Sequence, residues 1–351
     1  MFLWARRLGF PIIGAFLSLL VSLLGAALVD PSANAPANRV VIVTPSALVT
    51  FVGHGAGHGV GMSQWGARGR ALGGQTAVEI LSAYYPGADI SVMGDDSDAI
   101  RVLVGPSQVK TLPLADYLAS VVSSELPPHF PTSAVEAQAI ASRTYALWLR
   151  DPNKPYDVTS TVSTQAFGAA PRPDAVAAVD ATQGMALTHD GAVIPAYFHA
   201  CSVRATEDNE NVWSGAPLPF LRSIDDRAPS GAPYATVANG CPRATWQAGP
   251  FTVAQLSNAL AADPHTDVGT LQAIELGNRS PAGRWESITL DGDGGVKTVT
   301  LPVFRAVLSA GVPASRTLFS ADFVIESTAP SSNAVGGLDQ TPADPPAPFV
   351  L

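Results

Sequence analysis

The chain has 351 residues, of which 47% are hydrophobic, and it carries a formal net charge of −9 at pH 7. A chain of this length and composition can bury a sizeable core without metals or bridges, which excludes a small stapled scaffold. Because no cluster of Lys and Arg beyond the amino terminus breaks the acidic balance, nucleic acid is not expected as a partner, whereas a neutral sugar polymer is compatible with the charge.

The amino terminus has the features of an export signal. Arg6 and Arg7 precede an apolar run over residues 8–29, and small residues follow as far as Ala35. This pattern predicts a signal peptide over residues 1–35. The run is about 22 residues, long enough to span a bilayer, so an uncleaved signal anchor is the alternative. In both cases the rest of the chain is expected outside the cytoplasm, secreted or in the cell envelope.

The remaining sequence predicts one α+β domain over residues 36–326, compact and of one or two lobes, with many short strands and a few helices. A tail over residues 327–351, rich in Pro and Ser and poor in large apolar groups, is expected to be disordered because it cannot offset the ordering entropy. The predicted strands are Val40–Thr44, Leu48–Val52, Ala99–Val104, Val193–Phe198, Ser287–Leu290 and Val296–Leu301.

Two helices are predicted in the middle of the chain. Ser133-Ala-Val-Glu136 has the pattern of a capping box, and the residues from Ala134 to Leu149 continue without Gly or Pro, as expected for a helix. The preceding segment has apolar residues at i, i+4, i+7 and i+8, and a carboxylate on the same stripe at i+11. These residues are Leu114, Leu118, Val121, Val122 and Glu125.

Glu125 is the candidate for acid–base chemistry. A carboxyl group at the end of a buried face, followed by Leu126-Pro127-Pro128, loses hydration, so its pKa is expected to rise. A glutamic acid that stays protonated near neutral pH can protonate a leaving glycosidic oxygen and then act as a base. The alternative is that Glu125 only ends the helix and faces water.

A glycine-dense segment from Gly53 to Arg68 contains His54, His58 and Trp65 and precedes a predicted helix over residues 77–85. Its spacing matches neither a dinucleotide-binding nor a Walker motif, and its glycines disfavour a metal-binding helix. Glycines allow the backbone to approach a ligand closely. Trp65 and the pair Tyr84-Tyr85 are candidates for stacking on sugar rings, with burial in the core as the alternative.

A third segment, from Pro195 to Trp213, is rich in His, Thr, Glu, Asn and Trp and follows an apolar strand. This composition indicates either a loop that lines a site, where His199 and Glu207 would orient a sugar, or a turn held by Asx-type hydrogen bonds. The sequence contains no Gly-x-Ser-x-Gly motif, so a serine hydrolase is not supported.

Cys201 and Cys241 are the two cysteines of the chain. In an oxidising compartment such a pair is more often a disulfide than a nucleophile or a metal site. The alternative is a zinc site that combines both cysteines with His199, for which no fourth ligand is evident. No other cofactor is expected.

These three segments together resemble the SpoIID/LytB family. The resemblance rests on Leu112 to Pro128 with Ala137 to Ala146, on Tyr197 to Trp213, and on His58 to Ala67 continuing through Gly87. In this chain the His-Gly-Val-Gly-Met-Ser-Gln-Trp segment comes first, whereas family members place it near the carboxyl end. Cys201 stands where members often have Ser or Thr, and some members have zinc-binding cysteines nearby, which leaves the metal content open.

The resemblance implies a peptidoglycan lytic transglycosylase with a glycan-binding groove. Glu125 would be the catalytic acid and base that cuts the bond between N-acetylmuramic acid and N-acetylglucosamine and leaves a 1,6-anhydro end. The residues expected to bind substrate are His58, Gln64, Trp65, Arg143, Tyr145, His199, Glu207 and Asn211.

Two other functions stay open at this point. The first is a non-catalytic cell-wall binder that enhances a peptidoglycan amidase, which would make that amidase a partner beside the glycan strands. The second is a metal-dependent hydrolase built on His54, His58 and His199. Contact with a membrane is expected only through the amino-terminal segment, if it is not cleaved.

Overall fold

The computed structural model describes residues 40–161, 164–213 and 215–328. The predicted leader lies outside these ranges, as does the predicted tail from residue 329 onward; Ser327 and Thr328 end a strand. The helices are α1 (Gln64–Leu72), α2 (Ala77–Tyr84), α3 (Leu114–Glu125), α4 (Thr132–Leu149), α5 (Pro173–Ala181), α6 (Val253–Leu260) and α7 (Leu301–Gly311).

The strands of the described residues are short and form several small sheets. They are β1 (Val40–Ile42), β2 (Leu48–His54), β3 (Met62–Ser63), β4 (Asp89–Val92), β5 (Ala99–Val104), β6 (Gln108–Pro113), β7 (Val158–Thr159), β8 (Met185–His189), β9 (Ala192–Val193), β10 (Phe198–His199), β11 (Thr245–Thr252), β12 (Leu271–Leu276), β13 (Ser287–Gly292), β14 (Gly295–Thr300) and β15 (Phe323–Thr328). Helices and small, mostly antiparallel sheets confirm the α+β class.

The first hydrophobic core is built around α4. This helix packs against α1, α2, α3 and α5 and against β8. Ala137, Ala139 and Ala141 are fully buried on it, and their small side chains let the neighbouring helices approach closely. The sheets β6-β5-β7 and β4-β8-β9 flank the helices. This core holds the apolar stripe of α3 in place.

The second hydrophobic core lies between the sheets β11-β2-β15 and β1-β12-β13-β14 and the helices α6 and α7. Phe51 on β2 is its centre, because its ring lies 5.5–6.2 Å from the rings of Phe251, Phe304 and Phe323. The described part of the chain begins in this core with β1 and β2, continues into the first core, and returns with β11.

The two predicted helices are confirmed, but one predicted start is wrong. All the apolar stripe residues of α3 are buried. Helix α4 starts at Thr132, after Pro131, and makes no side-chain cap. Pro131 has φ −58° and its carbonyl oxygen accepts from the N–H groups of Ala134 and Val135. Ser133 therefore lies inside the first turn and cannot cap it.

The predicted strand Val193–Phe198 is also wrong. Only its two ends pair, in β9 and β10. Pro195 lies in the middle and has no N–H to donate to a ladder. The break turns the chain toward the glycine-dense segment, where β10 pairs in parallel with β3. Within the described ranges, no helix has the length and apolar character needed to cross a membrane.

Candidate active site

A cavity of about 400 Å³ lies where the two hydrophobic cores meet, a size within the range of ligand pockets. Glu125 and Tyr145 line it from the first core, and residues of α7 line it from the second. The glycine-dense loop and the segment around β10 close the remaining sides. Its described walls include Gly57, His58, Gln64, Glu125, Tyr145, Thr164, Tyr197, His199, Val212, Trp213, Pro302, Arg305, Ala306 and Ser309.

Glu125 is the last residue of α3, and its side chain is only 2% exposed. Oε1 accepts a hydrogen bond from the backbone N–H of Ala166 at 2.7 Å, and Oε2 accepts from Nε2 of Gln64 at 3.2 Å. The carboxyl group is thus held from two sides while it faces the cavity. The interpretation that Glu125 only ends the helix and faces water is wrong.

Burial raises the pKa of Glu125 to about 7, although the hydrogen bonds from Ala166 and Gln64 oppose the rise. Burial disfavours the charged form, and two donors do not replace the hydration that the carboxylate loses. A group with this pKa is present in both protonation states near neutral pH. It can therefore give a proton and take one back under the same conditions.

The glycine-dense loop packs against other backbone. Gly57 and Gly61 have φ of 99° and 69°. A Cβ on Gly61 would lie 2.0 Å from the carbonyl oxygen of Tyr197, and one on Gly57 would lie 2.7 Å from Cβ of His199. The glycines thus allow two backbone segments to touch, which brings His58 and Gln64 beside His199.

His58 and His199 stand together on the cavity wall, with ring centroids 5.7 Å apart. Nδ1 of His58 accepts a hydrogen bond from the N–H of Val60 at 3.0 Å, so the neutral ring carries its proton on Nε2. Burial lowers the pKa of His58 to about 3 and that of His199 well below its ordinary value. Nε2 of His199 lies 2.7 Å from Oγ of Ser202. Both rings are therefore neutral at pH 7.

An aromatic wall is formed by Tyr145, Tyr197 and Trp213. The Tyr197 ring lies 4.6 Å from that of Trp213 and 5.5 Å from that of Tyr145. The Trp213 ring also lies 4.9 Å from that of His58 and is 38% exposed. Aromatic faces beside a polar group suit a ring that is apolar on one side and carries hydroxyls at its edge.

The structure brings five of the residues predicted from the sequence together on the cavity wall: Glu125, Gln64, Tyr145, His58 and His199. It does not bring Trp65 there. The Trp65 ring packs edge-on against Phe130 at 5.0 Å, with the guanidinium of Arg68 5.3 Å from its centre. Tyr84 and Tyr85 are fully buried, which confirms burial in the core over stacking on a sugar for these two residues.

Arg143 is not a substrate-binding residue in this structure. Its side chain is fully buried, and Nη2 forms a salt bridge of 2.6 Å with Asp96. Nη1 donates to the carbonyl oxygen of Met185, and Nη2 also donates to that of Val179. Arg143 therefore ties α4 to α5 and β8.

Glu207 and Asn211 lie in a small adjoining cavity that also contacts His58. Oε1 of Glu207 accepts from Nδ2 of Asn211 at 2.9 Å, and Oε2 accepts from Oγ of Ser280 at 2.5 Å. Nη1 of Arg284 lies 4.0 Å from the same carboxylate. These contacts occupy both oxygens, so Glu207 supports the loop that carries Trp213 instead of facing the main cavity.

Several groups at the site were not among the residues predicted from the sequence. The backbone N–H of Ala166 comes from a loop without a motif. Tyr197 and Trp213 lie in the third segment, where their type alone could have singled them out. On α7, the cavity face of Pro302, Arg305, Ala306 and Ser309 reads as the polar side of an ordinary amphipathic helix.

Cys201 and Cys241 form a disulfide with an S–S distance of 2.05 Å, the pairing that the sequence favoured over zinc. Neither sulfur is available as a thiolate ligand in this state. In the part of the chain that the structure describes, no three His, Cys, Asp or Glu side chains are grouped so as to hold a metal ion.

Comparison with known proteins finds a family model that matches the segment containing Glu125. Residues 105–189, which include α3, α4 and Glu125, match the SpoIID family model, described as stage II sporulation protein. An uncharacterised protein of Brachyspira hyodysenteriae is 35% identical over 121 residues, which cover 33% of each chain. Stage II sporulation protein D of Bacillus subtilis is 31% identical over 138 residues, covering 33% of this chain and 39% of that protein.

A shorter match involves the amidase enhancer of Bacillus subtilis, which is 50% identical over 42 residues, covering 12% of this chain and 6% of that protein. The chain thus spans only about a third of the length of the longer-matching relatives. The region that carries Glu125 is nevertheless the region that the family model describes. Residues 105–189 are thus similar to the SpoIID family.

Proposed function

We propose that the chain is an exported peptidoglycan lytic transglycosylase in which Glu125 is the general acid and base. The observation that carries this proposal is the Glu125 carboxyl group, buried at the end of α3, held by Ala166 and Gln64, and facing the cavity with a pKa near 7. Export is supported by the amino-terminal sequence and by the disulfide.

In the proposed reaction Glu125 donates one proton to the substrate and later accepts one from it. Protonated Glu125 gives its proton to the oxygen that links C1 of N-acetylmuramic acid to N-acetylglucosamine, and the C1–O bond breaks. The resulting carboxylate stabilises the positive charge at C1 and takes the proton of the muramyl 6-hydroxyl. The muramyl 6-oxygen then bonds to C1 and closes the 1,6-anhydro ring. Glu125 ends the cycle protonated, and no water is consumed.

The charge pattern of the cavity supports a mechanism with one carboxylate. Hydrolases that use water or a covalent intermediate need a second carboxyl group at a defined separation. Among the described residues that line the cavity, Glu125 is the sole carboxylate. Because burial lowers their pKa values, the rings of His58 and His199 do not compete with Glu125 as bases.

The proposal is tested by mass spectrometry of muropeptides and bare glycan strands after incubation with the exported domain, with and without a chelator. We expect anhydro-ended products from the wild type and none from Glu125→Gln. The matched control is Glu136→Gln, which removes a partly exposed carboxylate from α4. A metal-dependent hydrolase would instead produce reducing ends and would stop on addition of the chelator.

A second candidate is a non-catalytic wall binder that enhances a peptidoglycan amidase. The observation that favours it is the 50% identity to the amidase enhancer over 42 residues. The same cavity can bind a glycan without cutting it. Retention on purified wall and faster release of stem peptides by an added amidase, without any new strand ends and unchanged by Glu125→Gln, would establish this function instead.

A further inference from the structure

Helix α7 forms the wall that the second hydrophobic core contributes to the main cavity. This helix lies outside the segment that matches the family model. One face of this helix, with Leu301, Phe304 and Leu308, is buried in the second core. The other face lines the cavity with residues at i, i+3, i+4 and i+7, namely Pro302, Arg305, Ala306 and Ser309. Helix α7 therefore has a fixed position and presents Arg305 to the cavity.

The Arg305 guanidinium has no carboxylate partner within ion-pair distance in the described ranges. Nε and Nη2 both donate to the carbonyl oxygen of Leu318 at 3.1 Å, while Nη1 has no acceptor among the described residues. The charged neighbour that influences Arg305 is Arg284, which is also positive and therefore repels it. Burial and this neighbour lower the pKa of Arg305 to about 10, so the side chain remains charged at pH 7.

The other charged groups around the cavity do not neutralise Arg305. Glu125 is held by Ala166 and Gln64, and both histidine rings are neutral. Glu207 and Glu286 line the small adjoining cavity, but neither lies within 4.0 Å of the guanidinium, and Glu207 is paired with Arg284. A partly buried cation without a counter-charge is costly unless something pairs with it. Arg305 lines both the main and the small adjoining cavity, so a ligand bound there can supply the partner.

We propose that Arg305 binds a carboxylate of the glycan substrate and thereby determines which strands enter the cavity. A guanidinium prefers a carboxylate because two parallel N–H groups match its two oxygens. This proposal rests on the proposed function, since it identifies the ligand as peptidoglycan. Peptidoglycan has two sources of such a carboxylate. One is the lactyl group of N-acetylmuramic acid when it is not amidated, and the other is the free carboxylates of a stem peptide.

The test measures binding by calorimetry in the Glu125→Gln background, so that no ligand is cut. The probes are one muramyl oligosaccharide with free lactyl carboxylates, the same compound with these groups converted to methyl amides, and the same strand carrying stem peptides. We expect the Glu125→Gln protein to bind a carboxylate-bearing form with about tenfold higher affinity than the methyl amide. Added salt should reduce this difference in affinity.

Three further variants assign the preference to Arg305. Arg305→Gln should abolish it and leave binding of the methyl amide unchanged. Arg305→Lys keeps the charge and should retain part of the preference even if the contact with Leu318 is lost. The matched control is Arg316→Gln. Among the described residues Arg316 also has no carboxylate within ion-pair distance, but it contacts Phe251 and Pro250 away from this cavity. It should behave like the parent protein.

The arms of the experiment separate the two carboxylate sources and the two proposals. A preference that appears only with stem peptides assigns the site to the peptide, and one that appears with the bare strand assigns it to the lactyl group. Equal binding of acid, amide and peptide forms would overturn the carboxylate site, even if the wild type releases anhydro ends. An Arg305-dependent preference without any anhydro ends would support the site and reject the transglycosylase.

Discussion

The side-chain amide of Gln64 donates to Oε2 of Glu125 at 3.2 Å, although the two residues are 61 positions apart. Gln64 is the first residue of α1, directly after the strand that pairs with β10. Its Nε2 also lies 3.4 Å from Oε1 of Gln138 on α4, which holds the amide in place. The glycine-dense segment thus contributes a hydrogen bond to the carboxylate of α3, even though its order along the chain differs from that in familiar family members.

Replacing Gln64 should move the pH dependence of strand cleavage upward. The amide stabilises the charged form of Glu125, so Gln64→Leu should raise the pKa of Glu125 further above its ordinary value. The fall in activity that accompanies loss of the acid's proton should then occur at higher pH than the wild-type value of about 7. The check is a pH profile of anhydro-end formation, with exposed Gln183→Leu as control. A shift to lower pH would contradict the assignment.

The raised pKa of Glu125 also predicts a dependence of stability on pH. Between the ordinary pKa of 4.5 and the folded-state value of about 7, the folded protein holds a proton that the unfolded chain has lost. Stability contributed by the protonated group is complete below pH 4.5 and is lost as the pH rises through 7. Glu125→Gln cannot ionise, so it should gain stability relative to the wild type over this interval, by on the order of 3 kcal/mol.

Denaturant unfolding of both proteins at several pH values measures this difference, because the other titrating groups are common to both. The free energy of unfolding should differ most above pH 7 and least below pH 4.5. A difference that does not change with pH would mean that Glu125 ionises at its ordinary pKa and is not the proposed acid.

Arg143 should matter for folding and not for binding. Removing its guanidinium leaves Asp96 buried without its ion-pair partner, which costs about 3–5 kcal/mol of unfolding free energy. Arg150→Met is the matched control, because its salt bridge to Asp98 is exposed and should cost less than about 1 kcal/mol. Glycan affinity of the folded fraction, measured by calorimetry at low temperature, should be unchanged for Arg143→Met. A loss of affinity without a loss of stability would restore its predicted role in binding.

Periodicity predicted the parts of the site that lie on regular elements. The stripe ending at Glu125 identified a buried carboxylate because an α-helix places i+11 on the same face as i. The same reasoning could not identify the Ala166 N–H, since a backbone donor in an irregular loop has no sequence pattern. It could not identify Arg305 either, because a charged residue on the polar face of α7 is expected for any surface helix.

Residue type misled where burial decided the outcome. Trp65 and Arg143 belong to types that often bind sugars and carboxylates, but both lie on helix faces turned toward other elements: Trp65 toward Phe130, and Arg143 toward Asp96. The direction of a helix face depends on which neighbours pack around it. That information comes from contacts distant in sequence, such as those that place α4 among four helices.

The disulfide should stabilise the folded protein around His199. Cys201 is two residues from His199, and its bond to Cys241 closes a segment with a sequence separation of 40. Replacing both cysteines with alanine should cost about 4 kcal/mol, since a cross-link of this span removes conformational freedom from the unfolded chain. Thermal unfolding of the double variant and of reduced wild type should give the same lowered Tm. A Tm equal to that of the oxidised wild type would show that the bond does not form.

Trp213 should affect binding of the glycan more than its cleavage. Its half-exposed ring lies on the cavity wall and packs on Tyr197 at 4.6 Å, whereas Trp148 is similarly exposed and packs on Tyr145, but does not line the cavity. Trp213→Ala should therefore raise KM several-fold with little change in kcat, because a flat apolar face contributes alike to the bound substrate and to the transition state. Trp148→Ala should change KM less. Initial rates on bare glycan strands measure both quantities, and a fall in kcat at constant KM would mean that Trp213 acts on the reacting bond, through its contact with His58.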